Sequence, residues 1–472
     1  MNPSKLLNDI FNKHWDKYAL ISDNNKYTYQ DLYSYSNSVK DWAAKNGCKA
    51  GDIIAIQLPN SEQFLIVYLA CLIGGFKFAP INTDLPESDQ RYIIDRLGVK
   101  LVLNNHELLS DIKLKKVREP EFNYPQNQIA GIFFTSGTTG KPKGVTHTLE
   151  SLLGNVVAFN KHAKLRTTSK HYHCLPMAYM AGFLNAFLSP CALGATIFMG
   201  QRFSALSALN FWSKIIFYKI NVVWITPTIA ATLIRINRDE NISRKLSKNI
   251  QIYCGTAPLN QHVKKLFYKI FGLHLIESYG MSEVLLVSAQ ARNGLHDQNN
   301  TGQIISGIEI LLKKHSNNKN KELLIKSPYQ LNSYIDEFRE FNPVSKDGYF
   351  STGDLACIEN DSLVINGRIK DLIIRGGINI YPRFVENILG SLNSIKEIVV
   401  MGIPDEYWGE IIIAIIVLNI RNEFSEAKKN IIDFSTENIH SSMRPDKYFW
   451  VDRIPKTISG KVNKKLLLAS IL

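Results

Sequence analysis

Residues 133–145 read Phe133-Phe134-Thr135-Ser136-Gly137-Thr138-Thr139-Gly140-Lys141-Pro142-Lys143-Gly144-Val145. An apolar run enters a stretch that gathers hydroxyls, three glycines at 137, 140 and 144, and the charges of Lys141 and Lys143. Glycines let backbone N–H groups close around an anion, hydroxyls add donors and lysines add charge; together they cradle a polyphosphate. A plain surface turn needs no such concentration of donors. Nor is this a Walker loop. G-x-x-x-x-G-K-[ST] asks for Gly at 135, where Thr stands, and for Ser or Thr at 142, where Pro stands. A kinase or P-loop ATPase is thereby set aside.

On either side of this loop, apolar β-branched runs alternate with helix-like stretches. Residues 53–58 read as a strand, 61–73 as a helix and 78–81 as a strand, and strand-like runs recur at 99–104, 196–199 and 222–226. Such alternation predicts α/β layering with largely parallel sheets. The polar gap 315–321 lies between two apolar runs and predicts a hairpin loop. A sharper break comes at Gly367-Arg368-Ile369-Lys370-Asp371, followed shortly by Gly376-Gly377. About 100 residues remain beyond it, enough for a small second domain. The expected division is therefore 1–367 and 368–472.

Bulk composition narrows the function classes. The 472 residues are 45% hydrophobic and 21% charged, ordinary values for a folded globular chain. The six cysteines (Cys48, Cys71, Cys174, Cys191, Cys254, Cys357) form no C-x-x-C pair, so a zinc site or disulfide framework is not expected and a reducing, cytoplasmic setting is. The longest purely apolar run, 411–418, is far too short to span a bilayer and reads as a buried strand. A net charge of +13 comes without any basic block interleaved with aromatics, so no nucleic-acid face is expected.

The stretch Thr135 to Gly144, T-S-G-T-T-G-K-P-K-G, resembles the signature loop of the adenylate-forming superfamily: acyl-CoA synthetases, free-standing adenylation domains and luciferases. Further motifs follow in the family's order. Gly255-Thr256-Ala257 is similar to the adenine-side turn, and Ser278-Tyr279-Gly280-Met281-Ser282-Glu283 resembles Y-G-x-T-E with Ser282 where Thr is usual. Asp354, after Ser351-Thr352-Gly353, resembles the residue that accepts from the ribose hydroxyls. Arg368 resembles the arginine that reads ribose and phosphate, Lys370 falls on the hinge position, and Lys461 in Ser459-Gly460-Lys461 resembles the C-terminal catalytic lysine.

The resemblance implies a large N-terminal AMP-binding domain of layered α/β sheets and a small mobile α+β C-terminal domain. It assigns Lys461, Glu283 and Lys143 to catalysis, with Glu283 and Thr135 as Mg²⁺ ligands. Thr135, Ser136, Gly137, Thr138, Thr139 and Gly140 would hold phosphates, Tyr279 would lie against adenine, and Gly376-Gly377 would meet the thiol's pantetheine arm. The implied reaction consumes ATP and a small carboxylic acid to give an acyl-adenylate. That intermediate then passes to coenzyme A or to a separate phosphopantetheinyl carrier protein. A soluble monomer or homodimer is expected.

The segment 367–382 is similar to the acyl-CoA synthetase version of its motif. Pro176-Met177-Ala178-Tyr179-Met180-Ala181-Gly182-Phe183 has no acid to pair with a substrate amine, and an unpaired buried ammonium costs several kcal/mol. A plain carboxylic acid is expected instead, with apolar walls from 186–188, 192–199 and 224–231. Three positions depart from the family pattern: Tyr179 in place of a frequent His, Phe384 in place of a Glu whose partner Glu386 is kept, and Lys321 in place of a Gly.

Overall fold

The computed structural model describes residues 1–105, 112, 114–135, 141–292, 294, 299–314, 321–419, 424–456 and 462–471. Strand Val222–Ile225 is apolar at every position because it is buried on both faces. It sits inside a nine-stranded sheet. From one edge the strands run Gln303–Ile304, Leu285–Ala289, Leu275–Met281, Gln251–Cys254, Val222–Ile225, Lys170–His173, Thr196–Met199, Tyr18–Ile21 and Lys26–Thr28. Its central pairs are parallel and its edge pairs antiparallel.

A seven-stranded sheet is likewise mixed: Lys77–Pro80 and Leu101–Leu103 lie parallel to Ile53–Ile56, whereas Ile129–Thr135 and Lys143–Thr148 pair antiparallel. Helix Glu62–Gly74 is buried over almost its whole surface, as an all-apolar helix must be. Ser61 caps it, its side chain accepting from the Phe64 N–H at 3.3 Å, and Gly75 ends it at φ 67°.

The expectation of largely parallel sheets fails for a third, four-stranded sheet. Its strands Glu309–Lys314, Lys321–Lys326, Phe350–Glu359 and Ser362–Arg368 are antiparallel throughout. Short connections decide two of its three pairs, Glu309–Lys314 with Lys321–Lys326 and Phe350–Glu359 with Ser362–Arg368, because parallel neighbours need a long crossover. Asn360 and Asp361, at φ 47° and 60°, make one tight turn of the type that matches strand twist. The strands flanking 315–320 pair from Lys314 against Lys321, so the polar gap does join a hairpin, although 315–320 themselves lie outside the described residues.

The chain leaves this sheet at Arg368, makes a 3₁₀ turn over Ile369–Asp371, and enters a last sheet at Ile373–Arg375. There strand Gly409–Leu418 sends Ile412, Ala414 and Ile416 into one apolar core and Ile411, Ile413, Ile415 and Val417 into another. Both faces are covered, which explains the unbroken apolar run. All six cysteines are unpaired, and among the described residues no helix is long and apolar enough to cross a membrane.

Candidate active site

The central strands of the nine-stranded sheet run parallel, so several of their carboxyl ends face one crevice. Cys174 follows Lys170–His173, Thr226 follows Val222–Ile225, and Gly255 follows Gln251–Cys254; all three line a cavity of about 950 Å³. Such crevices are where open α/β sheets bind ligands. The cavity continues to Thr135 and Lys143 on the neighbouring sheet, and to Arg368 and Lys370 where the chain passes between sheets.

Thr135 and Lys143 are the last facing pair of two antiparallel strands, so the glycine-rich loop is a strand-to-strand connection. A P-loop would be followed by a helix, which independently separates the two. Ser136, Gly137, Thr138, Thr139 and Gly140 lie outside the described residues. The Lys143 ammonium sits 3.4 Å from the centre of the Tyr334 ring and 4.8 Å from that of Phe341, a cation–π seat. Burial lowers the Lys143 pKa, and the charges of Asp336 and Glu283 oppose that shift. Tyr334 then donates its hydroxyl to Glu283 Oε1 at 2.7 Å. Burial and Glu283 push the phenol well above its ordinary value.

Among the described residues Glu283 forms no ion pair, so a neutral donor holds it while its charge stays available to the cavity. With the Thr135 hydroxyl, which lines the same cavity, this is an oxygen set of the kind a hard cation prefers. Tyr334 carries no motif and was missed in the sequence. It reaches the site because Ser333–Ile335 pairs with Lys143–Thr148, Tyr334 opposite Val145.

Local backbone demands account for the small residues nearby. A Cβ on Gly255 would sit 2.7 Å from Ser278 Oγ, and one on Gly280 only 2.4 Å from the Leu285 carbonyl, beside a register shift in the strand pair. Thr256 adopts φ 71°, an outlier for a β-branched residue and of a kind that clusters at ligand sites. Behind Ser282, buried His147 places Nε2 2.7 Å from the Ser282 carbonyl. Burial lowers its pKa to about 4, so the ring is neutral near pH 7, and the hydrogen bond fixes the turn that presents Glu283.

Not every expected residue lies on the cavity wall. Asp354 is 2% exposed and takes two bonds, from the Tyr279 hydroxyl at 2.6 Å and from Arg368 Nε at 3.0 Å. Asp354 and Tyr279 are thus tied to Arg368 without lining the cavity themselves, and neither does Ala257; Gly255, Thr256, Ser278, Gly280, Ser282 and Arg368 do. Gly376 and Gly377 are away from the cavity, in the turn between Ile373–Arg375 and Ile378–Ile380. There the Gly376 N–H donates to the Trp408 carbonyl at 2.8 Å, and a Cβ would press on the Trp408 ring. Lys461 lies outside the described residues.

The opposite wall is apolar, and only in part from the stretches expected. Residues 186–188 and 192–199 pack into the core, whereas Trp224 and Ile229 of the expected 224–231 do face the cavity, joined by residues 178–182, Leu184 and Asn185. Tyr179 is part of that wall, its hydroxyl accepting from Asn82 Nδ2 at 3.0 Å. The Phe384 departure is exposed on helix Pro382–Leu389, whereas Glu386 is turned inward and accepts from the Val400 N–H at 2.9 Å.

Comparison with known proteins agrees with this geometry. The model of the "AMP-binding enzyme" family matches residues 8–335, and that of the "AMP-binding enzyme C-terminal domain" matches residues 385–461. The chain is 25% identical to the long-chain-fatty-acid–CoA ligase FadD13 of Mycobacterium tuberculosis (strain ATCC 25618 / H37Rv), over 95% of this chain and 94% of the relative. It is also 25% identical to the 2-succinylbenzoate–CoA ligase of Bacillus subtilis (strain 168), over 96% and 95%. The ATP-bound structure of MatB from Rhodopseudomonas palustris superposes with a TM-score of 0.88, covering 100% of this chain and 99% of that one at 21% identity.

Proposed function

Since the chain belongs to the AMP-binding enzyme family, we propose that it is an ATP-dependent acid–thiol ligase that makes an acyl-adenylate and then an acyl-CoA. One observation carries the reading: a single cavity joins a wall of Thr135, Lys143 and Glu283 to an apolar wall around Trp224. A triphosphate and the carboxylate of an apolar acid can meet only in a space that serves both.

In the first half-reaction a carboxylate oxygen attacks the α-phosphorus of ATP and pyrophosphate leaves. Charge develops on the phosphoryl oxygens, and donors fixed in advance stabilise it. Lys143, seated on Tyr334 and Phe341, is one such donor; Lys461, assigned by motif, is the other. Glu283 and Thr135 would hold Mg²⁺, which shields the phosphate charge. In the second half-reaction a thiol sulfur attacks the mixed anhydride carbonyl and AMP leaves.

The named relatives are CoA ligases, which favours coenzyme A as the acceptor. Residues 368–472 act as a unit that turns against 1–367 about Lys370, exchanging Lys461 for Gly376-Gly377 between the two half-reactions. ATP–pyrophosphate exchange over short, long-chain and aryl acids, repeated with coenzyme A, tests the reading. Exchange that depends on the acid, and thioester only with coenzyme A, is the expected result. An absence of exchange with every acid would refute it.

A further inference from the structure

Five asparagines are buried among the described residues: Asn82, Asn155, Asn160, Asn185 and Asn300. Four are satisfied. Asn82 bonds Tyr179 and the Asp84 N–H, Asn155 takes both backbone groups of Leu286, Asn160 exchanges bonds with Ser189, and Asn300 accepts from Gln290 and the Gly302 N–H. Asn185 differs. It is 5% exposed, it lines the cavity, and among the described residues no hydrogen-bond partner reaches its amide.

The amide opens on the cavity and is not sealed from it, so water can satisfy it in the empty site, and a ligand that displaces that water must replace its bonds or leave it unpaired. Here the fold holds the residue in place. Asn185 lies in a π-helical turn, Leu184–Leu188, an irregularity that recurs at functional sites. The turn before it is pinned, because a Cβ on Gly182 would fall 2.1 Å from the Pro176 carbonyl. Apolar residues such as Met180, Leu184, Trp224 and Leu286 line the same cavity. Of the cavity's four cations, Arg202 pairs with Asp84, Arg368 pairs with Asp354, Lys143 rests on aromatic rings, and Lys370 stands where the chain passes between sheets.

We infer that Asn185 is a specificity residue, and that the acid activated here carries a neutral hydrogen-bonding group beyond its carboxylate (a ketone, hydroxyl or amide) that pairs with the Asn185 amide. The amide offers both N–H donors and a carbonyl acceptor, so either sense of bond is open to the substrate. A plain hydrocarbon acid would bury the amide unsatisfied, and sites built to bond a polar group discriminate strongly against analogues that lack it. The inference deepens the ligase reading and rests on it.

The test offers matched pairs, straight-chain and aryl acids with and without a ketone, hydroxyl or carboxamide, and reads kcat/KM in pyrophosphate exchange. Wild type should favour at least one oxygenated acid over its hydrocarbon mate by roughly 10–100-fold. Asn185→Leu, close in size, should erase that preference while leaving the KM for ATP unchanged, and Asn185→Gln should restore part of it. A wild type that uses each hydrocarbon acid as well as its mate overturns the inference without any variant. So does a preference that survives Asn185→Leu in a protein with normal ATP affinity. If no acid at all supports exchange, the ligase reading falls and this inference falls with it, an outcome distinct from the other two.

Discussion

The two walls of the cavity are built on opposite principles. On the nucleotide side the key polar groups are held by protein partners: Lys143 sits on Tyr334, Tyr334 donates to Glu283, His147 holds Ser282, and Asp354 takes bonds from Tyr279 and Arg368. On the acyl side the wall is largely apolar, and the Asn185 amide in it has no protein partner among the described residues. The first wall is preorganised for a partner that is the same for every acid, the triphosphate. The second is finished only by its substrate. Damage to the nucleotide wall should therefore slow all acids alike, and changes on the acyl wall should reorder them.

The largest expected effect is that of Lys461→Ala. By analogy with lost oxyanion donors, adenylation should fall ~10²–10³-fold for every acid, while thioester formation from supplied acyl-adenylate stays near wild type. Equal loss in both half-reactions would remove Lys461 from the first. Lys370→Pro should do the reverse, fixing φ near about −65° and removing a backbone donor at the proposed hinge. Pyrophosphate exchange should persist and thioester output should drop at least ~10-fold; a folded variant with normal thioester output would count against rotation at this residue.

Asp354→Ala comes next. Bonds to a charged group contribute roughly 1.5–3 kcal/mol each, so ATP affinity measured by calorimetry should weaken about 10–100-fold, and deoxy-ATP should be discriminated less. Unchanged ATP binding would reduce Asp354 to a structural anchor for Arg368 and Tyr279. Tyr334→Phe keeps the ring beneath Lys143 but removes the donor to Glu283; a loss of roughly 10-fold in exchange is expected, equal across acids. If it altered acid preference instead, the contrast between the walls would break.

The smallest effect concerns stability, not rate. His171 is fully buried, neither ring nitrogen has a partner, and burial lowers its pKa to about 3. The folded state thus binds this proton less readily than the unfolded chain. Its contribution to stability is complete above the ordinary histidine value of 6.5 and is lost as pH falls from there toward about 3. His171→Phe should make acid denaturation shallower in that window by up to ~1.4 kcal/mol per pH unit, read from urea melts, with activity near neutrality untouched. An unchanged pH slope would mean that the ring is already accessible to protons.

How much was legible in the sequence follows the same division. Phosphate chemistry needs particular residue types at fixed spacing, so the loop at 135–144, Glu283 and Asp354 could be read as motifs, and the described ones gather around one cavity. Tyr334 and His147 could not, because strand pairing and packing bring them in from positions with no local signal. The acyl wall was read least well. Residues 186–188 and 192–199 are as apolar as 224–231, and only the fold decides which apolar run meets the cavity and which meets the core. Asn185 was passed over among apolar neighbours for that reason. The antiparallel four-stranded sheet was missed because strand-like runs alone do not specify direction.

Strand Gly409–Leu418, clamped between two apolar cores, has a consequence for timing. The sheet built on it carries the Gly376-Gly377 turn. It also anchors the base of the loop that contains Lys461, where Lys456 bridges to Val462 and pairs with Glu397 at 2.8 Å. The flanks of the Lys461 segment and the Gly376-Gly377 turn therefore share one support. On the rotation proposed above, presenting one withdraws the other, much as an escapement releases one tooth only by engaging the next. On that proposal, the movement that admits the thiol is also the one that withdraws Lys461 from the step that could return acyl-adenylate to ATP.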